Sequence, residues 1–497
     1  ARSTFWLTSG KWYFEVICDD TGEGFVGISG QTELLNNRGA MYDSDSFNIR
    51  TNNGNKYLGD GNDSSYGSAI SDGDVVMVAV DCDAGKAWIG SEGTWFNSGD
   101  PAAGSNEGKS GIAGAVSPSI SLYDNEDYTM NFGSQMAFAH TPPTGFKKIN
   151  ASNLSTPTIK NGSDYFNTVL YTGDGGSSRA LTVGFQPDLC WFKCRSAGHY
   201  HDLYDSVRGG SKRIIPNEDD AEATYSNLVQ SFDSNGVTIG TANEMNANNE
   251  TFTSWHLKAG GTASSNGDGT ITSSVSANTS AGFSIVKFEG DGSSSATVGH
   301  GLGVTPEFII QKRLDSSTKG DWQISVKDVG VGYLNYNNAF ITTFGSSGRL
   351  AYNTNTSTVY KFGAGSSDVS SVNTDGADYI AYCFSSVPGY SKIGSYTGNG
   401  GSDGQYVFLG FRPAFIMIKN TTSAVDWNIV TSAIPGYNVV NKYLRPNVGN
   451  AEGTYTYLDV VSNGFKARNN GNTFNSSSTT YIYLAFAEAP FKYANAR

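Results

Sequence analysis

The sequence predicts an all-β protein, one β-sandwich followed by three tandem β-sandwich repeats. Three observations carry this. Short segments rich in Tyr, Phe, Val, Ile and Thr alternate with glycine turns, the pattern of sandwiches and barrels. No amphipathic run is long enough for a major helix. A ten-residue segment occurs three times: Gly184-Phe185-Gln186-Pro187-Asp188-Leu189-Cys190-Trp191-Phe192-Lys193, then Gly303-Val304-Thr305-Pro306-Glu307-Phe308-Ile309-Ile310-Gln311-Lys312, then Gly410-Phe411-Arg412-Pro413-Ala414-Phe415-Ile416-Met417-Ile418-Lys419. The copies stand about one domain length apart, so they mark whole domains in series rather than a short-period solenoid.

The first section opens with Lys11-Trp12-Tyr13-Phe14-Glu15-Val16, a strand of mixed alternation. Phe25-Val26-Gly27-Ile28 follows a glycine turn. The apolar run Val75-Val76-Met77-Val78-Ala79-Val80 suits a strand buried on both faces. Lys86-Ala87-Trp88-Ile89 and Gly93-Thr94-Trp95 read as a hairpin, and Thr129-Met130-Asn131-Phe132-Gly133 closes the section.

This order of motifs resembles a SPRY domain over roughly residues 1–140: the Gly-Lys-Trp-Tyr-Phe-Glu-Val opening, Gly-Phe-Val-Gly-Ile, the Gly-Asp-Val-Val strand with Val80-Asp81, and the Asn131-Phe132-Gly133 close. The resemblance implies a two-sheet sandwich whose rim loops bind partners, without catalysis. Thr141-Pro142-Pro143-Thr144-Gly145 then breaks the chain, and polar residues follow as a short extended connector. The expected divisions are a SPRY-like sandwich at 1–147, a linker at 148–164, and β repeats at 165–282, 283–389 and 390–497.

Each repeat opens with a strand and a glycine turn, as in Tyr171-Thr172-Gly173-Asp174-Gly175, Phe288-Glu289-Gly290-Asp291-Gly292 and Tyr396-Thr397-Gly398-Asn399-Gly400. The proline segment follows. Proline cannot donate to a ladder, so it belongs at a strand's first position. Asp321-Trp322 and Asp426-Trp427 come next, with His201-Asp202 in the same neighbourhood of the first copy. Phe252–Leu257, Tyr379–Phe384 and Tyr481–Phe486 are closing aromatic strands, expected beside the proline strands. The Gly/Ser/Thr-rich stretch 259–281 reads as a flexible insertion or a long exposed hairpin.

A formal net charge of −13 argues against nucleic acid, because phosphate binding needs clustered Lys and Arg. Arg208, Lys212 and Arg213 form a mild exception that reads as a solvated loop. No segment approaches the length of a membrane helix, so no membrane insertion is expected, and no stretch reads as a signal peptide. A start at Ala1 rather than Met reads as processed or truncated, with an N-terminal anchoring region missing. The five cysteines are odd in number. Cys190 and Cys194 lie roughly 13 Å apart on a strand, beyond disulfide reach. All five read as buried or idle thiols made in a reducing cytoplasm.

Enzyme signatures such as GxxxxGK[ST], GxSxG and HExxH are absent, and no catalytic residue or cofactor is assigned. The Gly-Asp-Gly strings read as tight turns. His199-Tyr200-His201 offers two imidazoles, too few for zinc, and reads as two exposed loop histidines. The acidic clusters Asp43-Ser44-Asp45, Asp60 with Asp63, and Asp124-Asn125-Glu126-Asp127 lack EF-hand spacing and read as solvated loops, with a structural calcium left open. No metal ligand is assigned. Aromatics beside Asp or Asn suit a sugar ring, so the candidate ligand-binding residues are Tyr42, Asp43, Asp45, Trp95, Tyr123 and Asp124 on the SPRY-like rim.

Residues from about 142 to 497 resemble modules of tail and fibre proteins of marine bacteriophages. The resemblance rests on the Tyr-Thr-Gly-Asn-Gly turn, the segment around Pro413 and the closing Ala-Phe-Ala-Glu-Ala-Pro-Phe-Lys. It implies a virion adhesin of the phage tail, made in the host cytoplasm and assembled as a homotrimer with other tail proteins. Its partner would be a host-surface glycan or protein. A purely structural component (head fibre or tail decoration) and a polysaccharide depolymerase are the alternatives.

Overall fold

A computed structural model of the chain describes residues 1–30, 43–59, 63–123, 125–318, 320–342, 349–363, 369–434 and 437–494. The fold is all-β, with two compact units, Ala1–Thr156 and Pro157–Arg497.

In the first unit, one sheet orders Asp63–Ser64, Lys56–Leu58, Phe47–Arg50, Phe25–Gly30 and Val116–Ser121. The other orders Asp127–Asn131, Lys11–Asp20, Val75–Asp81, Lys86–Ser91 and Thr94–Trp95. Phe14, Val16, Val78 and Val80 face Val26, Ile28, Phe47 and Ile49 across the core. Tyr13, Met77, Ala79 and Trp88 form the opposite face, covered by Trp95, Phe138 and Phe146. Cover on both faces explains the unbroken apolar run Val75–Val80. Glu15 shares the covered face with Tyr13. Its buried carboxylate accepts the Tyr13 hydroxyl and the N–H groups of Ala139 and His140, each at 2.8 Å. That bonding pins the segment after the last strand. Ile149 and Leu154 also pack on this unit's core.

In the second unit, three sheets share one connectivity. Each orders opening strand, closing strand, proline-led strand and a short fourth strand. The first sheet uses Phe166–Thr172, Thr251–Leu257, Leu189–Cys194 and Asp202–Asp205. The second uses Phe283–Glu289, Asp378–Phe384, Phe308–Arg313 and Gln323–Val326. The third uses Ser391–Thr397, Thr480–Pro490, Phe411–Asn420 and Asn428–Thr431. The closing aromatic strands thus lie beside the proline strands, antiparallel in every case. Gly184, Gly303 and Gly410 have φ of 100°, 74° and 83°. This left-handed turn is why glycine opens every copy of the segment. Pro187 and Pro306 precede their strands, but Pro413 lies inside its strand at a register shift, because a bulge tolerates a residue without an N–H.

The Gly/Ser/Thr-rich stretch is a hairpin, Ser264–Asn266 with Ser273–Asn278. Its second strand adds to the edge of the second sheet at Phe283–Glu289, and Ile271 and Val275 are buried there. Two apolar anchors are enough to seat an otherwise polar ribbon.

One face of each sheet enters a shared core: Leu189, Trp191 and Trp255 from the first, Phe308, Ile310 and Tyr382 from the second, Phe415, Met417 and Leu484 from the third. At its centre is a void of about 30 Å³, whose apolar walls give water no partner. The opposite faces are covered locally. Cys190 and Phe192 meet Leu181, Val237 and Ile239, and Ile309 and Cys383 meet Val298 and Tyr360.

Three fully buried lysines, one per sheet, cross to a neighbour. Lys312 Nζ donates to Asp219 O (2.8 Å) and to Gly320 O. Lys419 Nζ donates to Asn337 O (3.2 Å), Asn420 O (2.6 Å) and Ser423 O (3.3 Å). Lys193 Nζ donates to Gly449 O (3.2 Å), Cys194 O (2.9 Å) and His199 O (2.8 Å). Burial pushes each ammonium down to about 8. A second set of bonds follows the same path. Trp322 Nε1 donates to Ile215 O at 2.9 Å and Trp427 Nε1 to Tyr333 O at 2.8 Å. In the first sheet His201 takes this place: Nδ1 accepts from Trp191 Nε1 at 3.0 Å, so Nε2 carries the proton and donates to Arg445 O at 3.0 Å. Backbone bonds Glu222 N–Leu314 O, Phe340 N–Thr421 O and Glu452 N–Arg195 O run in parallel. The contacts join first to second, second to third and third to first, a closed cycle.

Two sequence expectations are corrected here. His201 is buried rather than exposed, because it substitutes for a seam tryptophan. Arg208 and Arg213 are not on a solvated loop. Arg208 pairs with Asp205 at 2.6 Å and Glu222 at 3.1 Å, and Arg213 with Asp202. Tyr382 of the second sheet donates to Asp205 at 2.7 Å, so the seam between the sheets buries this network.

Lys312→Met should lower the urea midpoint by an amount equivalent to about 1–3 kcal/mol, because buried carbonyls lose their donor. The buried imidazoles give a pH test. Burial holds His201 well below the ordinary value and His256 down at about 3. The unfolded chain therefore binds protons that the native chain refuses. Stability intact above about pH 6.5 should fall toward pH 5 by about 1.4 kcal/mol per pH unit for each fully shifted histidine. Urea melts of His201→Gln across that range should show a shallower slope than wild type.

Candidate functional site

On the first unit, Tyr42 and Asp124 lie outside the described residues. The other four candidates do not converge. Asp43 is buried, and its Oδ1 accepts the N–H of Asp45 at 2.8 Å. Asp45 accepts the N–H groups of Ala113 and Gly114, both at 2.9 Å. Both carboxylates therefore hold turns together, where the sequence suggested free ligand groups. Trp95 is half-buried with its ring edge-on to Tyr13, centroids 6.4 Å apart. It covers the sheet. Tyr123 is 58% exposed, its backbone N–H held by Glu126 Oε2 at 2.8 Å. Of these four, Tyr123 alone is an exposed aromatic.

The second unit holds a polar groove of about 440 Å³ between the first and third sheets. Arg412 Nε meets Glu488 Oε2 at 2.9 Å, and Ser432 Oγ donates to the same oxygen at 3.2 Å. Arg412 is almost fully buried, so the pair is fixed in place. Asn161, Ser163, Asn167 and Thr168 line the opposite wall. Paired charges with amides and hydroxyls can bond a neutral, hydroxyl-rich ligand without presenting net charge to it. At one end of the first sheet, Cys194 Sγ donates to Glu250 Oε2 at 3.0 Å, and His199 stands beside both.

The Gly-Asp-Gly strings are turns, as their sequence suggests. Asn246 Nδ2 donates to Asp174 Oδ1 at 2.9 Å and its Oδ1 accepts from Asp174 N at 3.1 Å. Asn373 with Asp291 and Asn475 with Asn399 repeat the arrangement.

A family model described as "Domain of unknown function (DUF7483)" matches residues 161–490, more than half of the chain. The chain belongs to the DUF7483 family. A SPRY model matches residues 11–135, so the N-terminal part is a SPRY domain. A human SPRY domain of known crystal structure is 19% identical, covering 27% of this chain and 85% of its own, with a TM-score of 0.21. No curated protein matches the chain.

Within the DUF7483 region, the groove and the Cys194 cluster escaped the sequence reading. For the groove a signal existed: the residue before the proline is Gln186, Thr305 and then Arg412. A charge appears in one copy alone, opposite Glu488 of the closing strand. Asp45→Ala should free the amides of Ala113 and Gly114. The expected loss is about 1 kcal/mol, seen as faster hydrogen exchange at those two positions with the remaining SPRY amides unchanged.

Proposed function

We propose that this DUF7483 chain is a recognition protein of a phage virion, a tail fibre or spike adhesin that binds a host-surface glycan or protein. The supporting observation is its surface. Among the described residues, most of the large apolar-bodied side chains left exposed are tyrosines, including Tyr123, Tyr200, Tyr225, Tyr437 and Tyr455. A phenol gives a flat contact face and a hydrogen-bonding tip at small entropic cost, the composition of binding surfaces. SPRY and DUF7483 regions together present such rings from scaffolds with buried, bonded interiors. In this reading residues 165–282, 283–389 and 390–497 are tandem copies of one module. Assembly as a homotrimer with other tail proteins would multiply weak sites into strong attachment.

A purely structural virion component is the second reading, favoured by the closed cycle of seams and its dry centre. Labelling the chain in intact virions separates them: label at the fibre tip fits an adhesin, label along the shaft or on the capsid fits a structural part. For the first reading, a glycan array and host-cell binding assay should register the full chain. Tyr123→Ala or Tyr455→Ala should weaken binding about five- to tenfold, the equivalent of about 1 kcal/mol from one lost ring contact. Absence of binding by the correctly assembled chain would count against adhesion.

A further inference from the structure

The first sheet ends in residues that its two counterparts lack. Lys193, Lys312 and Lys419 are equivalent by ladder register, facing Thr253, Ile380 and Ile482. The next residue is therefore Cys194 in the first sheet, Arg313 in the second and Asn420 in the third. The residue preceding the closing strand is Glu250 in the first sheet, against Ala377 and Thr479 in the others. A thiol and a carboxylate thus meet at one of three equivalent corners. His199, on the loop after Cys194, brings an imidazole to the same corner. One ligand atom from each of the three lies within 4.8 Å of the other two.

We infer that Cys194, His199 and Glu250 form a binding site for a thiophilic divalent cation of the zinc class. The donor set is one thiolate, one imidazole and one carboxylate, all ligand types that zinc takes. Ligand atoms on a tetrahedral zinc stand roughly 3.3–3.7 Å apart, given bonds of about 2.0–2.3 Å. The Sγ–Oε2 separation of 3.0 Å is a little shorter than that spacing, and all three ligand atoms lie within 4.8 Å of one another, so closing on a metal asks only for small side-chain rotations. Three protein ligands leave a fourth position for water or for a donor from a binding partner. The balance is simple. The Cys194 S–H proton, now shared with Glu250, leaves to solvent as the S–metal bond forms, with no change of oxidation state.

The corner is built before any metal arrives. Arg195 N donates to Thr251 O at 2.7 Å, and Thr251 N donates to Ser196 Oγ at 2.8 Å. Lys193 Nζ holds the His199 carbonyl at 2.8 Å. The loop is thus tied at both ends to the strands that supply the other ligands. It also carries the seam between first and third sheets, through Arg195 with Glu452 at 2.7 Å and Lys193 with Gly449. A metal here would fasten the seam between the segments most distant in sequence.

The test titrates cobalt(II) alone, as a spectroscopic stand-in for zinc, into the reduced full-length chain. One equivalent should bind, with thiolate-to-metal charge transfer and the strong visible bands of four-coordinate cobalt, and zinc should displace it. Cys194→Ser, near-isosteric at this position, should abolish the charge-transfer band with an unchanged circular dichroism spectrum. Glu250→Gln and His199→Ala should each weaken binding at least tenfold. Zinc should raise the melting temperature of wild type and not of Cys194→Ser. Absence of a stoichiometric four-coordinate spectrum in wild type overturns the site. So does a spectrum that survives in Cys194→Ser, or equal affinity in Glu250→Gln and His199→Ala.

Discussion

The proline-led strands are apolar on both faces, and the second unit is arranged around that constraint. A sheet with two apolar faces must be covered twice. Each of the three sheets meets the first demand with a second sheet of its own, which holds Gly236–Ile239 for the first, Val359–Lys361 for the second and Gly464–Ala467 for the third, and the second demand with the other two proline-strand sheets. Pairing alone would satisfy only two of the three faces. Three sheets that cover one another around a dry centre satisfy all of them, and the buried lysines, tryptophans and His201 are the polar fittings of that arrangement.

The fittings are costly to remove because they are buried. A lysine deep in a protein loses its hydration, and here carbonyl oxygens replace it at the ends of neighbouring loops. His201 makes the same point with different chemistry. Where the other two sheets use an indole N–H, the first uses an imidazole whose second nitrogen is occupied by Trp191. At this one position the seam that joins first to third therefore carries a ring that can take up a proton, where its two counterparts carry an indole that cannot.

Much of the strand framework could be read from the chain. The glycines, prolines and aromatic runs act locally, through backbone conformation and burial, so their letters carry the meaning directly. The lysine closing every proline segment was also visible, but a lysine that faces water and one that faces carbonyls have the same letter. Arg208 and Arg213 read as solvated because nothing in their partners Asp205, Glu222 and Asp202 marks burial, and Tyr382, which closes over Asp205, comes from far later in the chain. The pairing of strand 273–278 with the second sheet was hidden because two apolar residues in a polar ribbon give little periodic signal. On the SPRY rim, Asp43 and Asp45 matched a ligand-binding pattern that internal turn bonds also produce. Glu250 escaped notice because it stands far in sequence from Cys194 and His199 and reaches them only through the ladder.

A linear array of stacked segments frays from its ends, where each terminal segment has one neighbour. The cycle in this unit has no terminal segment. Opening it anywhere breaks a full seam at once, so the first step of unfolding is steep. The same closure orders events during synthesis. Lys193 and His201 wait without their last partners until Arg445 and Gly449 have been made, and the third segment to emerge completes the first.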